Sequence, residues 1–298
     1  MSTCVRPHVV VTGASSGIGR ATAIVLANAG QHVYAGVRKP ADGAALELAA
    51  TQAGTSGEVT SLTLDVVVPD QIAAAVSSVA DHTGSAGLSG LVNNAGIGGF
   101  APLELIGIDT FRRLLEVNVT GQLAVTQAFL PLLRQARGRI VMIGSIGTRF
   151  TPPFVGPLAA SKSALSAMTE ALRQELAPWN IRVTLIEPGS IKTEAVEKLD
   201  DDAQRVMKDA TPAERDLYQD AFGRMTAAFG ALHERGSSPD VVASAVLQAL
   251  THARPRPRYL SGKNSHRMAA MAAILPVAAQ DALRRRLMHQ PAPGSRIS

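Results

Sequence analysis

A chain of 298 residues that is 46% hydrophobic can bury a full core in one large domain, and it has no low-complexity tract that would mark disorder. Its single cysteine, Cys4, excludes an intramolecular disulfide, gives no cysteine metal site and fits a reducing, cytoplasmic setting. The formal net charge of +5 is gathered in residues 251–298, with nine Lys and Arg against Asp281 alone; with aromatics at 4%, a basic tail on a mildly acidic body argues against a nucleic-acid partner.

The opening "MSTCVRPH" contains no apolar leader, and the longest apolar run, "MAAMAAILPVAA", falls short of the roughly 20 residues that span a bilayer. A soluble, unprocessed protein is expected. The first strand, "HVVVT", runs into "TGASSGIG" and then a helix, so Gly13, Ser15, Ser16, Gly17, Ile18 and Gly19 occupy a strand-turn-helix junction. Glycines there let the backbone approach a pyrophosphate, and the helix N-terminus offers free N–H groups and a positive dipole end. The helix "GIGRATAIVLANAG" has apolar residues at helical spacing and closes at Gly30, a C-cap candidate.

The second strand, "HVYAGV", ends at Val37 and Arg38 with no carboxylate. Selectivity for NAD(H) needs an acidic group there to accept from the ribose hydroxyls. A guanidinium at Arg38, with Arg20 adding positive charge, suits a 2′-phosphate instead, so NADP(H) is the expected cofactor. The third strand, "VTSLTL", leads into Asp65 and Val66, and the Asp65 carboxylate can accept from an adenine amino group. The fourth, "LSGLVN", leads into "NNAG", which puts Asn93, Ala95 and Gly96 at the carboxyl edge where ligands of open sheets bind.

"IDTFRRLLEVNVTGQLAVTQAFLPLLRQARG" reads as one long amphipathic helix with Asp109 as N-cap and Gly138 past its last turn. "GRIVMIG" and "RVTLIE" are the fifth and sixth strands. Strands alternating with helices predict βαβ crossovers and a parallel sheet. Residues 193–235 are charged and helix-forming, with Thr211 an N-cap before Pro212; a lid over a substrate cleft is expected there. "SPDVVASAVLQAL" predicts a further helix, "RPRYLSG" a last strand, and residues 264–289 one or two tail helices. The expected division is a domain over 1–262 and a basic helical extension over 263–298.

Taken in order, "TGASSGIG", "LDV", "NNAG", "NVTG", "IGSIG", "ASK" and "EPGSIKT" resemble the motifs of the short-chain dehydrogenase/reductase family, from about His8 to Leu260. The resemblance implies an α/β fold, a single Rossmann-type doubly wound sheet of about seven strands, in a nicotinamide-dependent oxidoreductase that forms homodimers or homotetramers. It implies that Pro188, Gly189 and Thr193 cradle the nicotinamide end. It further implies an active site of Asn, Ser, Tyr and Lys. Serine holds the substrate oxygen, tyrosine transfers its proton, lysine lowers the tyrosine pKa and holds the ribose, and asparagine anchors a water. Asn118, Ser145 and Lys162 match this set, but the tyrosine position, four residues before Lys162, is Leu158.

An alkyl side chain has no proton to transfer. Of the other candidates, Tyr34 and Tyr259 lie far off in sequence and Tyr218 lies in the expected lid. A water beside Lys162, Ser145 and Asn118 can fill the gap, or the gap stays dry. Two readings follow: an impaired NADP(H)-dependent oxidoreductase acting on an apolar ketone or secondary alcohol, or an inactive relative that serves as a nucleotide-dependent binding or oligomerisation module. Ile97, Phe100, Phe150, Phe154, Ile191, Phe222 and Met225 are candidates for the substrate wall. The apolar tail beside Arg284, Arg285 and Arg286 is expected to pack on the body or a partner subunit rather than on an anionic membrane.

Overall fold

The β-branched runs take their strand positions because such side chains fit a pleated, buried surface. In the computed structural model, which describes residues 6–193 and 204–295, they form β1 (His8–Thr12), β2 (His32–Val37), β3 (Glu58–Thr63), β4 (Gly90–Asn93), β5 (Arg139–Ile143), β6 (Arg182–Pro188) and β7 (Arg258–Ser261). All pair in parallel, in the order β3-β2-β1-β4-β5-β6-β7. The expected doubly wound sheet is therefore present, and its order reverses between β1 and β4, where open α/β sheets leave a ligand crevice.

Helices cover both faces. Val9 and Val11 of β1 join one core with Leu26 of helix α1 (Gly17–Asn28) and Val246 of the helix Asp240–Thr251. Val10 faces the other way, into a core with Val79, Phe129 and Leu165, from α3 (Pro69–Thr83), α5 (Gly121–Ala136) and α6 (Gly156–Glu175); α2 (Pro40–Gln52) follows β2. Each fully buried large side chain contributes about 1.5–3 kcal/mol, so period-two alternation in β1 holds both layers at once.

The single helix expected from Ile108 onward is interrupted. α4 (Ile108–Leu115) gives way to a π-helical turn, Glu116–Thr120, before α5 begins. Its N-cap is Gly107, and Asp109 instead pairs with Arg112 at 2.9 Å. Thr211 caps the helix Pro212–Glu234 as expected, in a reciprocal capping box with Glu214. The tail forms two helices, Ser265–Ile274 and Val277–Leu287, divided at Pro276. Cys4 and positions 194–203 of the expected lid lie outside the described residues. Among the described residues no helix is long and apolar enough to cross a membrane, and no cluster could hold a metal.

Candidate active site

The crevice between β1 and β4 is held by bonds between side chains and backbone. Thr12 Oγ1 accepts from the Asn94 and Ala95 amides at 3.0 Å each, and Asn94 Nδ2 returns bonds to the Thr12 and Gly13 carbonyls at 3.0 Å. This cross-strand clamp draws the two strand ends together. Gly13 sits at φ +64, and a Cβ on it would lie 2.7 Å from Ala95 Cα; one on Gly19 would lie 2.2 Å from the Gly13 carbonyl oxygen. No side chain can occupy either place. Ser16 is the N-cap of α1 and makes no side-chain cap hydrogen bond, so the first-turn amides are not closed off by it. A dinucleotide's pyrophosphate fits such a cradle.

Around the cradle, Asp65 Oδ1 accepts from the Val67 amide at 3.2 Å, and Val66 is buried. Ser15, Arg20 and Arg38 are exposed, Arg38 directly beyond β2, while Ile18 is half-buried against the core. Asn93 does not face the crevice: its side chain is buried and donates to Thr126 Oγ1 on α5 at 2.8 Å. The side chain at the crevice is that of its neighbour Asn94. Strand alternation was the signal for this, since a buried Asn93 turns the next residue to the opposite face.

On the far side, Gly189 packs against the chain after β7, where a Cβ would meet the Lys263 carbonyl oxygen at 2.2 Å. The Gly189 and Ser190 amides donate to Ser261 and Lys263 carbonyls at 2.8 and 2.9 Å. Thr193 reaches back across the site, its methyl 3.4 Å from where a Gly17 Cβ would lie. Pro188, Gly189 and Thr193 thus form a wall whose outer end faces the glycine turn.

Asn118 is carried by the π turn and is 0% exposed. Its Oδ1 accepts from the Ile97 amide at 2.8 Å and its Nδ2 donates to the Ile97 carbonyl at 2.9 Å and to Ser161 Oγ at 3.0 Å. It therefore braces the loop after β4, beside Gly96. Ser161, which sequence reasoning did not single out, continues the chain by donating to the Leu158 carbonyl at 2.8 Å. A π turn within a helical segment is common at functional sites.

Ser145 follows β5 and caps a short turn, its Oγ accepting from the Gly147 amide at 3.0 Å. Lys162, on α6, donates from Nζ to the Ile143 carbonyl at 2.8 Å. The residue keeps some surface, yet its ammonium is enclosed, and burial pulls its pKa from 10.5 to about 8. One turn earlier Leu158 packs into an apolar cluster with Phe100, Phe154, Phe222, Met225 and Met288. None of the three phenols bonds to Ser145 or Lys162 among the described residues. Tyr34 OH meets His8 at 3.2 Å, Tyr259 OH accepts from the Arg256 amide at 3.2 Å, and Tyr218 OH donates to Glu104, whose carboxylate raises its pKa.

Of the expected substrate wall, Phe100, Phe154, Phe222 and Met225 come together, joined by Met288 of the tail. Ile191 packs into the core behind β1, Ile97 packs against the opposite core, and Phe150 lies under the Arg284 guanidinium at 4.8 Å.

A family model described as short chain dehydrogenase matches residues 7–204. The chain is 38% identical to 11-beta-hydroxysteroid dehydrogenase type 2 of Oryctolagus cuniculus, over 94% of its own length and 69% of that protein. Among solved structures, a short chain dehydrogenase from Burkholderia cenocepacia in complex with NADP is 28% identical with a TM-score of 0.67, covering 95% of this chain and 97% of that one. A 3-oxoacyl-[acyl-carrier protein] reductase from Brucella melitensis with bound NAD is 27% identical with a TM-score of 0.65, covering 85% and 88%.

Proposed function

This chain belongs to the short-chain dehydrogenases, and from that we propose that it is an NADP(H)-dependent oxidoreductase of an apolar ketone or secondary alcohol, slowed at its proton step by Leu158. The cofactor supplies or receives the hydride when bound. Gly13, Ser15, Ser16, Gly17, Ile18 and Gly19 hold its pyrophosphate, Asp65 and Val66 its adenine, and Ala95 and Gly96 the floor of the crevice, with Asn94 rather than the buried Asn93 supplying the side chain there. Pro188, Gly189 and Thr193 enclose its nicotinamide end. Ser145 Oγ holds the substrate oxygen, Lys162 holds the ribose, and Asn118 fixes the loop after β4.

The apolar cluster of Phe100, Phe154, Phe222 and Met225 supports an apolar substrate, and the similarity to a hydroxysteroid dehydrogenase agrees with it. We further propose a cytoplasmic homodimer or homotetramer whose tail packs on protein. The second reading, an inactive nucleotide-dependent binding module, is favoured by one observation: Leu158 is packed as a hydrophobic residue within that cluster.

Solved relatives carry NADP in one case and NAD in another, so the choice of cofactor rests on Arg38, exposed beyond β2 with no carboxylate beside it in sequence. Titration calorimetry with both cofactors tests this. NADPH is expected to bind more tightly than NADH, and Arg38→Ala to weaken NADPH alone by about tenfold or more, the worth of a charge-assisted contact. Equal affinities for the two cofactors would sink the assignment.

A further inference from the structure

Glu187 is the next-to-last residue of β6, directly before Pro188, and its side chain is 0% exposed. Arg149, four residues beyond Ser145, grips it with a fork: Nε and Nη2 donate to the two carboxylate oxygens at 2.8 Å each. Arg258 of β7 adds a contact at 3.2 Å and is itself tied to α6 through Ser166 Oγ at 3.1 Å and through Glu170. Burying such charges costs so much that an apolar pair of similar volume is often as stable or more so. What the fork adds is direction, because a bidentate guanidinium-carboxylate pair fixes the plane of both groups.

The Ser145 turn needs that direction. The last ladder bond from its strand to β6 is Gly144 N to the Ile186 carbonyl at 2.8 Å. Beyond it the turn's own bonds, such as Arg149 N to the Ile146 carbonyl at 3.0 Å, shape the turn without tying it to β6. We propose that Glu187 and Arg149 are positioning residues that lock the Ser145 turn to the Pro188–Gly189 end of β6, setting the serine hydroxyl relative to the nicotinamide wall. The catalytic meaning of that position rests on the oxidoreductase reading.

Three full-length variants test it: Glu187→Gln, Arg149→Lys, and the double apolar variant Glu187→Leu with Arg149→Met, in which Arg258 keeps Glu170. Amide hydrogen exchange, thermal unfolding, NADPH binding and single-turnover NADPH oxidation are read on each. Exchange across residues 147–150 is expected to quicken by about tenfold or more in every variant, and Arg149→Lys, which keeps the charge and loses the fork, does not rescue it. The double variant regains thermal stability while turnover stays down by about 10²-fold and NADPH still binds. Parental exchange in Glu187→Gln and Arg149→Lys, or a return of both exchange and turnover to parental values in the double variant, overturns the proposal. A parent that binds NADPH and never oxidises it would fail the oxidoreductase reading instead, and the exchange measurement still decides the positioning.

Discussion

At position 158 helix α6 presents an isobutyl group one turn before an ammonium whose pKa burial has already brought down to about 8. Ser145 and Lys162 are placed on separate elements, by a turn and by a bond to Ile143, so neither needs a phenol to stay where it is. Leu158→Tyr is therefore expected to raise ketone reduction by about 10²-fold or more, within the range for a positioned proton donor, in stopped-flow NADPH oxidation with Lys162→Met as background. The opposing effect is steric, since Phe154, Phe222 and Met225 already pack the region. A parent that turns over rapidly and gains nothing from the tyrosine would mean another group donates the proton. The identities of Asn118, Ser145 and Lys162 were legible from ordered motifs. The commitment of Asn118 to Ile97 and Ser161 was not, because a side-chain amide leaves no trace in sequence of which backbone it will bond.

Among the elements, the strands were legible because Val-rich runs are bounded by Gly, Asn and Pro. The π turn was not, because it differs from an α turn by one residue of hydrogen-bond register and carries no compositional mark. The strand edge opposite the crevice makes its own prediction. There His32 stacks on Tyr34 with centroids 4.5 Å apart, His8 bonds the Tyr34 hydroxyl at 3.2 Å, and His82 meets the same ring edge-on at 6.0 Å.

Burial lowers the pKa of both His8 and His32; His82 and Arg6 add to it, as does His32 for His8, while Glu58 opposes it at His32. Between the lowered folded values and 6.5 the unfolded chain binds more protons at these two histidines than the folded one, so their contribution to stability falls as pH drops through that window and is constant above it. Thermal unfolding between pH 8 and pH 5 measures the slope. His32→Phe, which keeps the ring on Tyr34, is expected to flatten it, and an unchanged slope would exclude His32 as a source.

On the scale of the whole molecule, the tail packs on the apolar cluster that the proposed site uses. Met288 is 3% exposed in a cluster with Phe222 and Met225 of the helix Pro212–Glu234, Gln290 Nε2 bonds the Ala221 carbonyl at 2.8 Å, and Arg284 reaches the Arg149 carbonyl at 3.4 Å. Removing residues 277 onward should therefore raise KM for apolar substrates and lower stability, with about 2–5 kcal/mol expected for Met288→Ala alone. NADPH affinity should hold, because the cradle residues all precede the cut. Cofactor titration, substrate kinetics and denaturant unfolding on the shortened chain decide this, and a collapse of NADPH affinity with the fold intact would refute it. The sequence marked this segment as basic and helical. Its contact with the helix Pro212–Glu234 joins residues about 65 apart, beyond the reach of any local pattern.

The wall at Gly189 carries a consequence for how the protein is made. Its backing is the Lys263 carbonyl, while the opposite side of the cradle is Thr12 bonded to Asn94. A nascent chain that has emerged only through β6 has the glycine turn and the strand-end clamp but no support behind Gly189. The wall behind Gly189 is complete only once β7 and Lys263 have left the ribosome. On the proposed reading, a nucleotide is therefore expected to stabilise a chain paused before residue 263 less than one paused beyond it.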